Sequence, residues 1–331
     1  MGGSGTDVFT ETLAEGLRQK GLEALATRFA HRLQYSPWLL SRRPVPENTD
    51  IVLANTWNAF AFKKPGTKLI AVEHLFVLDP ALAPYKSWAQ AVFHNLFVKN
   101  YEKASQRNAD QVVAVSQYTG TTYRDVLRVD MPRVILNGID TDFFCPLEET
   151  IEKPSNRPFR LLFVGNMSRR KGVDMLPDIM AMLGSGYELS YTQGLRVADP
   201  FPSLQNVRRL GRLDRDRVRE EYRRADLLLF PTRLEGLPLV AMEAMACGTP
   251  VIASDTASLP EVIDHGETGM LCRLNDGAEF VLAIRALQSD PAKLQRLAKN
   301  ARMSAINCFS IDRMINDYVY LFTELVNKKV I

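Results

Sequence analysis

Short apolar runs rich in β-formers alternate with longer stretches of helical period from one end of this chain to the other, and that alternation limits the fold more than any single residue does. The runs Ile51–Ala54, Lys68–Val72, Gln111–Val115 and Arg133–Leu136 read as strands of a first half. Arg160–Val164, Glu188–Tyr191, Asp226–Phe230 and Pro250–Ser254 read as strands of a second. Between them, Thr10–Lys20, Ser87–Asn108, Tyr118–Leu127, Asp174–Leu183, Asp214–Arg223 and Asp276–Ala286 carry helical patterns, and Ile311–Asn327 closes the chain as an amphipathic helix. Strands that alternate with helices of this length pair in parallel, because a parallel pair needs a crossover. The chain is therefore expected to be α/β throughout. With 331 residues it holds two cores of ordinary domain size. The segment Cys145–Pro158, rich in proline and charge and without apolar period, reads as the linker between them.

Composition excludes several classes of function. A formal net charge of only +3, with lysine and arginine spread along the chain, gives no nucleic-acid footprint. The four cysteines (Cys145, Cys247, Cys272, Cys308) lack the spacing of a zinc site or a disulfide framework, so they read as reduced thiols. No apolar run has the length of a membrane span, and the first residues hold no apolar signal core. A cytoplasmic protein is expected.

One stretch concentrates chemistry. The apolar run ending at Phe230 is stopped by Pro231, and Pro238 then presets the first turn of a helix that Gly248 and Pro250 close. The strand so feeds a helix start through Glu235 and Gly236. A helix start offers free N–H groups and the positive end of the dipole, which suits an anion. Glu235 lies at its mouth, and Glu243, eight positions later in the sequence, lies roughly 12 Å further along by helical rise. A ligand with an anionic centre flanked by hydroxyls fits this layout, and a nucleoside diphosphate sugar is such a ligand.

The run from Glu235 to Asp255, with two glutamates separated by seven residues, resembles the signature of retaining glycosyltransferases of the GT-B fold, family 4 (group 1). Further blocks resemble that family in order: Gly2-Gly3 its N-terminal glycine loop, Val113–Ser116 and Asn137–Asp140 the end of its first domain, and Phe163–Gly172 the phosphate-gripping loop of its second. Leu259–Ile263 and Gly266–Gly269 resemble the segments after the signature. The resemblance implies two Rossmann-like domains facing a cleft: residues 1–148 on the acceptor side, 149–310 holding the nucleotide sugar, and 311–331 as a helix crossing back to the first domain. It also implies closure about the linker. The pattern departs at the start, where no apolar strand precedes Gly2-Gly3, so the first strand of the N-terminal sheet is expected to be missing, by truncation or because the start lies upstream.

Residue roles follow from the same resemblance. Glu235 orients the hydroxyls of the donor sugar, and Glu243 accepts from the ribose diol, as one carboxylate can from two vicinal hydroxyls. The N–H groups of Gly236, Leu237, Leu239 and Val240 face sugar and diphosphate, and Gly3 approaches the pyrophosphate. Lys171 binds the donor phosphates. Asn166 stands where the family usually has an arginine, and Arg169 or Arg170 would replace that charge. His74, at the end of an apolar strand, sits near the transferred sugar and acceptor. Arg208–Arg224 reads mostly as a solvated basic helix face. No Asp-x-Asp stands at a strand end, so neither metal nor other cofactor is expected.

The expected activity is retaining, metal-independent transfer of a hexose from a nucleoside diphosphate sugar to a saccharide or lipid-linked saccharide, in polysaccharide or lipopolysaccharide biosynthesis. Pro84–Lys103, with Tyr85, Trp88, Phe93, Phe97 and Tyr101 among lysines, reads as a core-packing helix or, at most, a peripheral membrane contact. The alternatives are a non-catalytic member that holds a nucleotide sugar or scaffolds a partner, and a related epimerase.

Overall fold

The computed structural model describes residues 5–147, 157–193, 201 and 204–327. They form two compact units. The first comprises the described parts of Gly3–Gly138 and Ile311–Ile331, and the second those of Ile139–Ser310. Gly2 and Gly3 lie outside the described residues, as does most of the Cys145–Pro158 segment.

The first unit runs α1 (Gly5–Gln19), β1 (Ile51–Asn55), β2 (Lys68–Glu73), α2 (Trp88–Phe93), α3 (Lys99–Asn108), β3 (Gln111–Ala114), α4 (Gln117–Leu127) and β4 (Arg133–Val134). The strands form a parallel sheet in the order β1-β2-β3-β4. Among the described residues no strand precedes α1. Leu69, Ile70, Ala71 and Val72 of β2 are fully buried, as both faces of a parallel strand require. Helix starts are locally encoded: Ser116 accepts from the Thr119 amide at 3.0 Å, and Ser87 with Gln90 forms a capping box. Residues His94–Val98 make a π-helical turn that joins α2 to α3 without a break. The stretch is buried on one side through Val98, Tyr101, Glu102 and Ser105 and exposed at Trp88, Leu96 and Phe97.

The second unit contains β5 (Phe159–Phe163), α5 (Leu176–Leu183), β6 (Tyr187–Thr192), β7 (Val207–Gly211), α6 (Arg215–Arg224), β8 (Leu227–Phe230), α7 (Leu239–Ala246), β9 (Val251–Ser254), β10 (Gly269–Cys272), α8 (Gly277–Ser289) and α9 (Pro291–Phe309). Its six strands lie in the order β10-β9-β8-β5-β6-β7, all parallel. The strand order reverses direction between β5 and β8, and in a doubly wound sheet ligands collect beyond the carboxyl ends of such a pair. Asp214, Asp276 and Asp290 cap α6, α8 and α9 through the amides of Arg217, Glu279 and Lys293. Residues 208–211, expected on a basic helix face, belong to the edge strand β7 instead. An edge strand can leave Arg208 and Arg209 exposed while Val207 packs against the core.

The last helix, α10 (Ile311–Asn327), belongs to the first unit. It packs on α1 so closely that a Cβ at Gly16 would stand 1.8 Å from Ile315 Cδ1. Tyr318 is fully buried, with its ring edge-on to Phe9 at 5.9 Å. Arg313 donates to the carbonyls of Leu136 and Asn137 at 2.7 and 3.1 Å.

Candidate active site

Two loops meet beyond the switch point of the second sheet. The loop after β5 turns through Arg169–Lys171 in one 3₁₀ turn, and the loop after β8 carries Thr232 to Glu235. Gly172 makes the meeting possible. Its φ is +73°, and a Cβ there would lie 1.9 Å from the Pro231 carbonyl oxygen, so only glycine fits. Arg233, itself buried, fastens the two loops: it holds Asp174 through two nitrogens at 2.6 and 2.9 Å, donates to Asn275 at 2.6 Å and also to the Arg169 carbonyl.

This scaffold brings Lys171, Arg170 and Glu235 together. Lys171 Nζ lies 2.6 Å from Glu235 Oε1, which also receives the Thr232 hydroxyl at 2.7 Å and the Arg170 guanidinium at 3.3 Å. Arg170 further donates to the Leu234 carbonyl, and Ser258 to the Glu235 carbonyl at 3.0 Å. Burial alone would raise the Glu235 carboxyl, but the charges of Lys171 and Arg170 outweigh it and hold the group below the usual carboxylate range. Burial also lowers the Lys171 ammonium, against the pull of Glu235. The cluster is two cations on one carboxylate, a net positive seat at the end of a sheet. Arg170, rather than the exposed Arg169, stands with Lys171, while Asn166 is exposed.

The helix α7 begins beside this seat, with Pro238 at its N-cap and no side chain capping it. Leu237 is buried, Leu239 and Val240 open the helix, and Gly236 lies in the loop before it. Glu243 sits midway along α7, where the fully buried Tyr222 donates its hydroxyl to one carboxylate oxygen at 3.0 Å. Burial pushes the Glu243 carboxyl up to about 7. Tyr222, Thr232, Arg233 and Asp174 escaped the sequence reading. Thr232 and Arg233 lie just ahead of the signature run, but nothing in their spacing tells which atoms they reach.

In the first unit His74 follows β2 directly, its ring edge-on to Phe9 at 4.6 Å. Burial lowers its imidazole to about 4, so it is neutral at neutral pH. Among the described residues no three His, Cys, Asp or Glu side chains gather as a metal centre would need.

The chain matches known proteins in sequence and in fold. Residues 158–290 match the family described as glycosyl transferases group 1, and residues 3–143 match Glycosyltransferase Family 4. An uncharacterised 41.2 kDa protein in the cps region of Klebsiella pneumoniae is 30% identical over 276 residues, 80% of this chain and 74% of that protein. The chain belongs to the group 1 glycosyltransferases of family 4. A second relative, the alpha-maltose-1-phosphate synthase of Mycolicibacterium smegmatis, is 29% identical over 299 residues, 80% of this chain and 76% of the synthase. Among solved structures, the sucrose-phosphate synthase of Thermosynechococcus elongatus superposes with a TM-score of 0.80 at 21% identity, covering 98% of this glycosyltransferase and 94% of that chain. Anabaena HepE in complex with UDP-glucose gives 0.73 at 18% identity, covering 98% and 97%. The two parallel sheets with their helices are those of the GT-B fold.

Proposed function

We propose that this glycosyltransferase moves a hexose from a nucleoside diphosphate sugar to a saccharide or lipid-linked saccharide acceptor, with retention at the anomeric carbon and without a metal. The observation that carries this reading is the convergence of Lys171, Arg170 and Glu235 at the switch point of the second sheet, beside the start of α7. The donor diphosphate takes Lys171 and Arg170 as counter-charges, joined by the N–H groups at the helix start. Two cations and a helix dipole stabilise the departing diphosphate as a bound ion otherwise would. Glu235, released from Lys171, accepts from the sugar hydroxyls, and Glu243 accepts from the ribose through the oxygen that Tyr222 leaves open.

The relatives support the donor class: one solved neighbour was captured with UDP-glucose, and one sequence relative is named for maltose-1-phosphate synthesis. The acceptor falls to the first unit, at the strand end that carries His74. Exposed Trp88, Leu96 and Phe97 on that unit favour an acceptor with a lipid portion. Among the described residues no helix is long and apolar enough to cross a membrane.

Thermal unfolding in the presence of UDP-, GDP- and ADP-hexoses tests the donor reading, because a ligand of the native state raises the midpoint. One of the three is expected to raise it, with the shift lost in Lys171→Ala. No shift and no turnover with any of them overturns the reading.

A further inference from the structure

The carboxyl end of the first sheet buries two acids with no base between them. Glu73, the last residue of β2, and Glu102, on α3, are 1% and 0% exposed. Among the described residues no lysine or arginine nitrogen lies within ion-pair distance of either. Their common partner is Thr56, just past β1, whose Oγ1 lies 2.8 Å from Glu73 Oε2 and 3.1 Å from Glu102 Oε1. A hydroxyl has one hydrogen to give. If both acids were ionised, one of these contacts would set lone pair against lone pair, beside two unpaired buried charges. A proton on Glu102 removes the conflict, since Glu102 then donates to Thr56 and Thr56 to Glu73. The far oxygen of Glu102, Oε2, has no hydrogen-bond partner. An unpaired buried oxygen costs less on a neutral acid than on a carboxylate.

Glu73 passes the arrangement on to the candidate site. Its Oε1 accepts from the Leu75 amide at 3.0 Å, so its carboxylate shapes the turn on which His74 stands. We infer that Thr56, Glu73 and Glu102 share one buried proton, carried by Glu102, and that this proton keeps Glu73 ionised as the acceptor that positions the His74 turn. Glu73 and Glu102 are positioning residues, and the inference rests on the reading that His74 takes part in transfer. Burial drives both carboxyls upward, and the neighbouring charge of Glu73 adds to the push on Glu102. The groups facing the pair are few. α3 supplies Glu102 and Ser105, whose hydroxyl accepts from the Phe60 amide at 3.1 Å. α4 supplies Tyr123, with its hydroxyl 3.5 Å from the Glu102 carbonyl. β2 continues into neutral His74.

Infrared difference spectra of the full chain at pH 7 test this, comparing wild type with Glu102→Gln. The side-chain amide of that variant can donate to Thr56 as a protonated acid does. The expected result is a protonated-carboxyl band in wild type that is absent in Glu102→Gln, with near wild-type turnover and melting temperature in the variant. Glu73→Gln, which removes the charged acceptor, is expected to lower kcat by about 10- to 100-fold and to leave KM for the donor unchanged. Absence of the difference band overturns the inference, as does equal turnover in the two variants. The infrared comparison needs only wild type and the isosteric Glu102→Gln, so it stands even where Glu73→Gln does not fold. His74→Ala with undiminished turnover would end the reading of His74 while the band still reported the proton.

Discussion

In the second unit a buried glutamate in the loop after a central strand meets a lysine and an arginine; in the first, a buried glutamate that ends a strand meets another glutamate. Glu235 is held ionised by Lys171 and Arg170, whereas Glu73 shares its surroundings with Glu102 and a threonine. The two sheets share a construction and differ in how they handle buried charge. On the proposed reading the ionic cluster exchanges partners with an anion, because its cations lose little when a diphosphate replaces a carboxylate. The acidic cluster has no cation to offer and, on the inference above, fixes a turn. On the two proposals, the sheet ends serve different duties, binding in one unit and positioning in the other.

The largest effect should come from breaking the ionic side of this contrast. Lys171→Met leaves Glu235 buried with a weakened cation set. It is expected to reduce donor turnover by roughly 100- to 1,000-fold and stability by about 3–5 kcal/mol, read by product assay and denaturant unfolding. Loss of less than tenfold in turnover would remove Lys171 from the site. Gly172→Ala attacks the same seat through the backbone, where the new Cβ would meet the Pro231 carbonyl at positive φ. A cost of at least about 3 kcal/mol is expected. Gly16→Ala is its counterpart in the first unit. It meets only the tip of Ile315, which can turn aside, so about 1–2 kcal/mol is expected. If the two alanine variants unfolded alike, the distinction between a rigid backbone contact and a yielding side-chain contact would fail.

Titration separates the groups by sign. Glu243 has a carboxyl raised from 4.5 to about 7, chiefly by burial. The folded state then binds more protons than the unfolded state between those values. Its contribution to stability is full below 4.5 and is lost as pH rises through about 7. His74, lowered from 6.5 to about 4 by burial, works the other way: its contribution is full above 6.5 and is lost as pH falls through about 4. Glu243→Gln should flatten the decline of unfolding free energy between these carboxyl values by on the order of 2–3 kcal/mol. An unchanged slope would show that Glu243 titrates normally. The smallest effect belongs to Tyr222→Phe, which deletes one hydrogen bond to Glu243. About 1 kcal/mol, or roughly a fivefold rise in donor KM, is expected in initial-rate measurements.

The sheets were legible where burial writes itself into composition. Leu69–Val72 and Leu227–Phe230 are continuous apolar runs, and the structure places strands on Lys68–Glu73 and Leu227–Phe230. The sequence Val207-Arg-Arg-Leu-Gly211 hid its strand, because an edge strand keeps two exposed arginines. The strand Gly269–Cys272 was hidden because it starts on a glycine of the Gly266–Gly269 block and contains no β-branched or aromatic residue. The helix Pro291–Phe309 is marked in the sequence by Asp290 as its cap and Pro291 in its first turn. The start and end of α7 were foreseeable from Pro238 and Gly248. The pairing of Lys171 with Glu235 was not, since 64 residues part them and only the sheet order closes that distance. Glu73 and Glu102 give no sequence signal at all. A glutamate ending a strand and another on a helix look solvated until the fold buries them.

The last helix has a consequence for how the molecule is made. Ile311–Asn327 completes the core of the first unit, with Ile315 against Gly16 and Tyr318 against Phe9. A ribosome releases Gly5–Gln19 roughly 300 residues before this helix. The second unit, continuous from Ile139 to Ser310, can therefore finish folding before the first, although the first is begun earlier. During that interval the apolar face of α1 waits for its partner, and the order of synthesis and the order of completion run in opposite directions.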